Sequence, residues 1–374
     1  MLMKIRKKSR FLFPLILTSL ILLSTPILQM GSALFSSFNI SPISEVGNIL
    51  PEIEACADPD PTTNVTVATN TALADFLSHL IYGKKDVSSG EYIEAIMPGG
   101  TCPAHYDTTP SDVTLISETD IIACIGYPES GWLPDLLVAA GRQEAKFAMG
   151  SNTIKNFTDP WLVPDNAIIW LDILTKKLNT TYTSAENISN FENNRANYVS
   201  NLQGNATELL MLASSNSLTG VPVLAMEWQE DFCEWIGLTV IDTFGSDESL
   251  TTQDIVQLAM TGKAAGIHLV ISNLQSGTEA GAEIAKQCGA IHVIISNFPD
   301  AVPYTPTIID TIWYNVEQMI RGNDLYLLQQ GLVGYYTNLL TITQVLFYIF
   351  LAISIIAIPI VAIESIMVYR MKKS

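Results

Sequence analysis

Three side chains form a set able to hold a cation: His105, Glu227 and Asp300. His105 follows the loop Pro98-Gly99-Gly100-Thr101-Cys102-Pro103-Ala104, Glu227 ends the apolar run Pro222-Val223-Leu224-Ala225-Met226, and Asp300 follows Asn297-Phe298-Pro299. One imidazole and two carboxylates suit a divalent ion such as Mn2+, Fe2+ or Zn2+. Each carboxylate alone is an ordinary solvated group, so the set has meaning only if the fold makes it converge. The other histidines read as structural. His79 lies on a helical apolar face, and His268 and His292 hold matched positions early in two apolar runs. Catalytic patterns are missing: there is no HExxH, no GxSxG nucleophile elbow and no phosphate-binding glycine loop. Neither an enzyme nor a catalytic cofactor is expected, and Glu230, Asp231 and Glu234 read as a charged helix face.

Positioning such a set requires strands whose carboxyl ends open on a common crevice. Apolar spacing predicts a helix over Thr71–Tyr82, a strand at Ile121–Ile125 and a helix around Trp132–Ala140. Ala95-Ile96-Met97 reads as the end of a strand running into the His105 loop. After a long polar helical stretch from Thr183 to Ser214, alternation resumes. Strands are expected at Pro222–Met226, Thr239–Asp242, Ile267–Asn273 and Ile291–Asn297, with helices over Thr252–Ala265, Glu279–Cys288 and Thr307–Met319. The last two strand units are near-copies, each a helix, a glycine turn, Ile-His, an apolar run and Ser-Asn. The fold class is therefore α/β: two lobes with parallel-rich sheets joined by a long backbone helix. Gly204 weakens that helix by roughly 1 kcal/mol relative to alanine.

The ends of the chain indicate export and anchoring. Lys4, Arg6, Lys7, Lys8 and Arg10 precede the apolar run Phe11–Leu23, the pattern of a signal peptide or signal anchor over 1–33. Val345–Ile363 is an uncharged stretch of 19 residues, which predicts a transmembrane helix over 342–366. Arg370, Lys372 and Lys373 follow, so 367–374 is assigned to the cytoplasm and the large domain to the outside. Between the basic ends, 11 Lys+Arg face 36 Asp+Glu, a net charge of −25. That field excludes a nucleic-acid role. Sequons at Asn64, Asn156, Asn179, Asn187 and Asn205 fit an exported glycoprotein. Cys56, Cys102, Cys124, Cys233 and Cys288 are too few for a disulfide scaffold, though one or two bridges are compatible with the count.

Several motifs together resemble the extracytoplasmic metal-binding component of zinc/manganese ABC importers, over about 48–332. Gly100-Thr-Cys-Pro-Ala-His-Tyr-Asp-Thr-Thr-Pro-Ser-Asp-Val113 is similar to that family's Pro-His-x-Tyr and Pro-Ser-Asp. Glu129 with Trp132-Leu133 resembles its Glu-x-Trp-Leu, and Asp159-Pro-Trp-Leu-Val-Pro-Asp-Asn166 its Asp-Pro-His-x-Trp-Leu-x-Pro-x-Asn. The resemblance implies an N-terminal lobe over 45–180, a linking helix over 183–214 and a C-terminal lobe over 218–332. His105 then takes the first metal-ligand position, Glu227 the third and Asp300 the last. The second histidine is missing between Pro160 and Trp161, and Cys102 is a conceivable substitute. The implied role is capture of Zn2+ or Mn2+ by a monomeric ectodomain for an ABC-type permease with a cytoplasmic ATPase. The alternative is a binding or adhesion module on the same fold that has lost metal capture.

Overall fold

The computed structural model describes residues 66–119, 121–124, 131–142, 146–149 and 160–373. The expected signal segment, Cys56, Glu129 and Asp159 lie outside them. Helix boundaries follow local chemistry closely. Helix α1 (Thr71–Tyr82) starts where the Asn70 side chain accepts a hydrogen bond from the Leu73 N–H at 3.0 Å. It stops at Gly83, whose φ of +73° suits a residue without a Cβ. Leu73, Phe76, Leu77 and Leu80 bury its apolar side.

The first sheet joins β1 (Thr66–Ala68), β2 (Ile121–Cys124) and β3 (Lys146–Met149), all parallel, in that order. Ala95–Met97 forms no full strand; it bridges Ala68 and bonds through Ile96 N–H to the Ala68 carbonyl at 2.9 Å. The Pro98-Gly99-Gly100 turn ends that pairing at once. Helices α2 (Pro110–Ser117) and α3 (Trp132–Ala139) belong to this half, followed by α4 (Pro164–Thr181).

Helix α5 (Ala185–Ser215) is the expected backbone rod, 31 residues long and capped by Ser184. Phe191, Asn194, Tyr198, Leu202, Leu209 and Ala213 make its buried stripe at steps of three, four and seven. This stripe, not helix propensity, carries the rod past Gly204.

The second sheet has the order β5-β4-β6-β7, again all parallel. Its strands are β4 (Pro222–Met226), β5 (Thr239–Phe244), β6 (Leu269–Asn273) and β7 (Ile291–Ile295). The central strand β6 is buried throughout, as a doubly covered parallel strand must be. Helix α6 (Glu230–Trp235) follows β4, while α7 (Thr252–Ala265) and α8 (Glu279–Cys288) end on the positive-φ glycines Gly266 and Gly289. His268 Nδ1 lies 2.8 Å from Asn323 Oδ1, and His292 Nε2 lies 3.0 Å from Ser272 Oγ. Both histidines are thus held structurally. One apolar core runs from Ala68 and Ile121 through Trp170 and Tyr198 to Leu269 and Val293.

The C-terminal end departs from expectation. The helix expected over Thr307–Met319 and the span expected over 342–366 are one element, α9 (Ile308–Lys373), 66 residues long. Gly322 does not break it, because an added Cβ there would press on Val293 and Leu269; the glycine lets α9 lie close on β7 and β6. By length and composition α9 is the one candidate membrane-spanning helix among the described residues.

Candidate metal site

The loop bearing His105 is clamped from one side. Residues Pro103–His105 form a single 3-10 turn. The Trp132 indole N–H donates to the Pro103 carbonyl at 3.1 Å, and the Tyr106 ring meets Trp132 at 5.1 Å. Tyr106 in turn donates to Asp112 at 3.0 Å, and Asp112 closes a capping box with Thr109 at the start of α2. Burial first, and then the hydrogen bond to the Asp112 carboxylate, push the Tyr106 phenol up to about 12. It therefore stays a neutral donor and holds the turn. His105 itself is well exposed, and its Nε2 lies 3.3 Å from Oε2 of Glu248.

Glu248 lies in the segment after β5, in the second half of the chain. Among the described residues, this ion-pair contact brings an imidazole of the first half against a carboxylate of the second. The segment Gly245-Ser246-Asp247-Glu248 leaves the carboxyl end of a parallel strand, where ligand-binding groups gather in such sheets. That was the available signal for Glu248. Its neighbour Asp247 is occupied differently, accepting the Glu279 and Ala280 N–H groups at the start of α8.

The other expected ligands take separate places. Glu227 begins a short 3-10 turn at the end of β4 and is exposed. Asp300 has φ +59° and meets the Lys85 ammonium at 2.6 Å. Lys85 also donates to the Pro306 carbonyl at 2.7 Å. Cys102 is the residue before the 3-10 turn and is partly buried. Among the described residues, no three His, Cys, Asp or Glu side chains gather as a group able to hold a metal.

Neutral amides make hydrogen bonds near these residues, one of them across the seam between the two halves. Gln229 donates to Asn297 Oδ1 at 2.6 Å, and Gln275 donates to the Gly99 carbonyl at 2.8 Å and to Ser296 Oγ at 3.1 Å. Trp161, from the motif that lacks the expected histidine, donates to the Asn297 carbonyl at 2.5 Å and meets Phe298 at 5.2 Å. An indole thus fills space beside the seam and supplies no lone pair to a metal. Any cation here must be neutralised by the rim carboxylates, since the amides carry no charge.

The family model for the zinc-uptake complex component A, periplasmic (ZnuA), matches residues 66–322. The chain belongs to the ZnuA family. No protein of curated function matches the sequence. Among solved structures, a ZnuA crystal structure is similar at 17% identity with a TM-score of 0.56, covering 70% of this chain and 100% of that one. The periplasmic metal-binding protein from Candidatus Liberibacter asiaticus gives 12% identity and a TM-score of 0.58, covering 70% and 99%. Its Mn-bound form gives 13% and 0.58, covering 69% and 98%. At these identities the likeness carries the fold, so the ZnuA-family architecture is shared while the site must be judged on its own residues.

The cysteine and glycosylation expectations find their place in the same frame, apart from the sequons at Asn64 and Asn156, which lie outside the described residues. Cys102 and Cys288 are free thiols. The sequons at Asn179, Asn187 and Asn205 all fall within helices. Asn205 also accepts the Trp313 indole N–H at 2.7 Å, which ties α5 to α9.

Proposed function

We propose that this chain is a membrane-tethered extracytoplasmic receptor that captures Zn2+ or Mn2+ between its lobes and passes it to an ABC-type permease. Arg370, Lys372 and Lys373 then face the cytoplasm, where the permease ATPase works, and the acidic domain faces out. The chain performs no chemistry on its cargo.

The observation that carries the reading is the pairing of His105 with Glu248, 3.3 Å apart. Two ligands held at about 2.0–2.2 Å from one tetrahedral ion lie about 3.3–3.6 Å from each other. A cation can therefore enter between them with little rearrangement of this pair, replacing one long imidazole–carboxylate contact by two coordinate bonds. Glu227 and Asp300 must move in from their separate places to supply further carboxylates in this proposal, with water completing the shell. Asp300 must exchange the Lys85 ammonium for the metal.

The alternative role, a ZnuA-type module without metal capture, is favoured by that same ammonium. A lysine paired with Asp300 already provides a positive charge beside one proposed ligand. Calorimetric titration of the chelator-stripped full chain in detergent separates the two. One-to-one binding of Mn2+ or Zn2+, weakened at least about tenfold in His105→Ala and in Glu248→Ala, supports capture. A folded wild-type protein that binds neither ion sinks capture and leaves the module.

A further inference from the structure

Asp324 is the last charged residue before Glu364, and the 39 residues Leu325–Ile363 between them carry no Asp, Glu, Lys, Arg or His. As helix this run is about 58 Å long, whereas a hydrocarbon core is about 30 Å thick and takes about 20 residues. Even at a steep tilt of about 40° the core takes up about 26 of them. About a dozen residues next to the domain therefore stand outside the core. Leu325, Leu328, Leu332, Tyr335 and Tyr336 are all exposed in this stalk.

The stalk is also a weak helix by itself. Gly331 and Gly334 each cost about 1 kcal/mol relative to alanine. Open space surrounds both, so no packing inside the chain demands a glycine. Not one i,i+4 ion pair is available to offset them, because the run has no charges. An uncharged, apolar, glycine-containing helix in water needs a partner to persist.

The spacing specifies the partner. Leu325, Leu328, Leu332, Tyr335, Leu339 and Ile342 recur in alternating steps of three and four, the repeat of a coiled-coil seam, and Leu346 and Ile349 continue it. The flanking positions Gln329, Gly331, Tyr336 and Asn338 are uncharged, so two identical seams meet without like-charge repulsion. Geometry leaves room for the partner. The domain covers α9 at Ile312, Asn315, Val316, Met319, Gly322 and Asn323. At 100° per residue the seam is centred about 160° round the helix from that buried face.

We propose that the stalk is a self-association surface, along which α9 helices from two copies of this chain pair in parallel. The inference rests on the membrane anchoring proposed above, which sets the stalk outside the hydrocarbon core and gives both copies the same direction and height. It replaces the monomeric ectodomain expected from sequence.

The test uses the full chain in phosphatidylcholine vesicles, with a single added cysteine at a seam position (Leu328→Cys or Leu332→Cys) or an outer one (Gln330→Cys or Thr337→Cys). The parent chain gives the baseline from native thiols. Oxidative cross-linking should yield at least about fivefold more dimer at the seam positions than at the outer ones. Adding Leu332→Asp should abolish the Leu328→Cys cross-link. Equal yields at all four positions overturn the proposal. So does an absent cross-link, whether Leu332→Cys is shielded from a water-soluble maleimide, giving the face to lipid, or labels freely, leaving it to another protein. Carbonate extraction reports on anchoring separately. If the chain is extracted, anchoring fails, and the same cross-link pattern in solution still decides the pairing.

Discussion

The Lys85 ammonium, on a side chain only 4% exposed, is held between Asp300 and the Pro306 carbonyl. Asp300 is therefore the expected ligand with the strongest competitor. Lys85→Met keeps the apolar stem and removes the charge. Two unit charges about 4 Å apart in water interact by about 1 kcal/mol, and a divalent ion doubles this, so Mn2+ affinity should rise at least about tenfold. Titration of the variant beside wild type checks it, and unchanged affinity would place Asp300 out of the metal's reach. A second residue-scale prediction concerns His79, whose ring lies 3.3 Å from the buried Asp75 carboxylate. Burial pulls its pKa down, but the Asp75 charge and hydrogen bonds outweigh this and raise it, against a small opposing effect of Lys85. The unfolded value is about 6.5. The charged ring thus adds stability that is complete below that pH and is lost as pH rises through the higher folded value. Urea unfolding should show wild type losing its advantage over His79→Gln as the solution is made alkaline; a gap independent of pH would refute the charge state. The Asp75 partners explain why this site is structural: its Oδ2 also receives the Tyr198 hydroxyl and the Ile308 N–H, each at 3.0 Å.

Those three partners sit on α1, α5 and α9, so one carboxylate ties together helices far apart in the chain. At this scale, what could be read from sequence divides cleanly. The bounds of α1, α7 and α8 were legible because Asn70 and Thr251 cap starts, while Gly83, Gly266 and Gly289 mark stops at positive φ. Helix α4 was not among the expected elements, although Trp170, Leu171, Leu174 and Leu178 keep helical spacing. The position of Asp300 was legible but its partner was not: Lys85 lies 215 residues away, and local patterns carry no information at that range. Glu248 was likewise beyond reach as a partner of His105, since only the folded sheets bring their loops together. The junction of the two halves is tested by two adjacent glycines. A Cβ on Gly99 would run into the Pro299 carbonyl oxygen and crowd the Asp300 and Ala301 backbone, whereas one on Gly100 meets nothing. Backbone cannot swing aside, so Gly99→Ala should cost about 1–3 kcal/mol or more in urea unfolding. Gly100→Ala should stay within about 0.5 kcal/mol. Equal effects would show that the seam is loose in solution.

For the whole molecule, α9 is both a core element of the second half and the candidate membrane span, and its continuity couples the two. Ile308, Ile312, Val316 and Met319 are buried almost completely. At about 1.5–3 kcal/mol for each buried side chain, they contribute about 6–12 kcal/mol. This gross gain, before the opposing entropy of ordering, is comparable in size to the net stability of a typical domain, about 5–15 kcal/mol. The rest of the helix is mostly exposed among the described residues; beyond Asn323, the Tyr326 ring stacks on His268 at 4.1 Å. A chain ending at Gln330 should therefore leave the membrane fraction, stay monomeric at micromolar concentration and melt within a few degrees of the full chain. A chain ending at Thr307 should not fold, as judged by loss of a cooperative melt. The contrast cannot be assigned to the membrane, because both truncations remove the span. It isolates the part of the helix that belongs to the domain. Were the shorter chain to melt cooperatively, α9 would be an appendage rather than a core element.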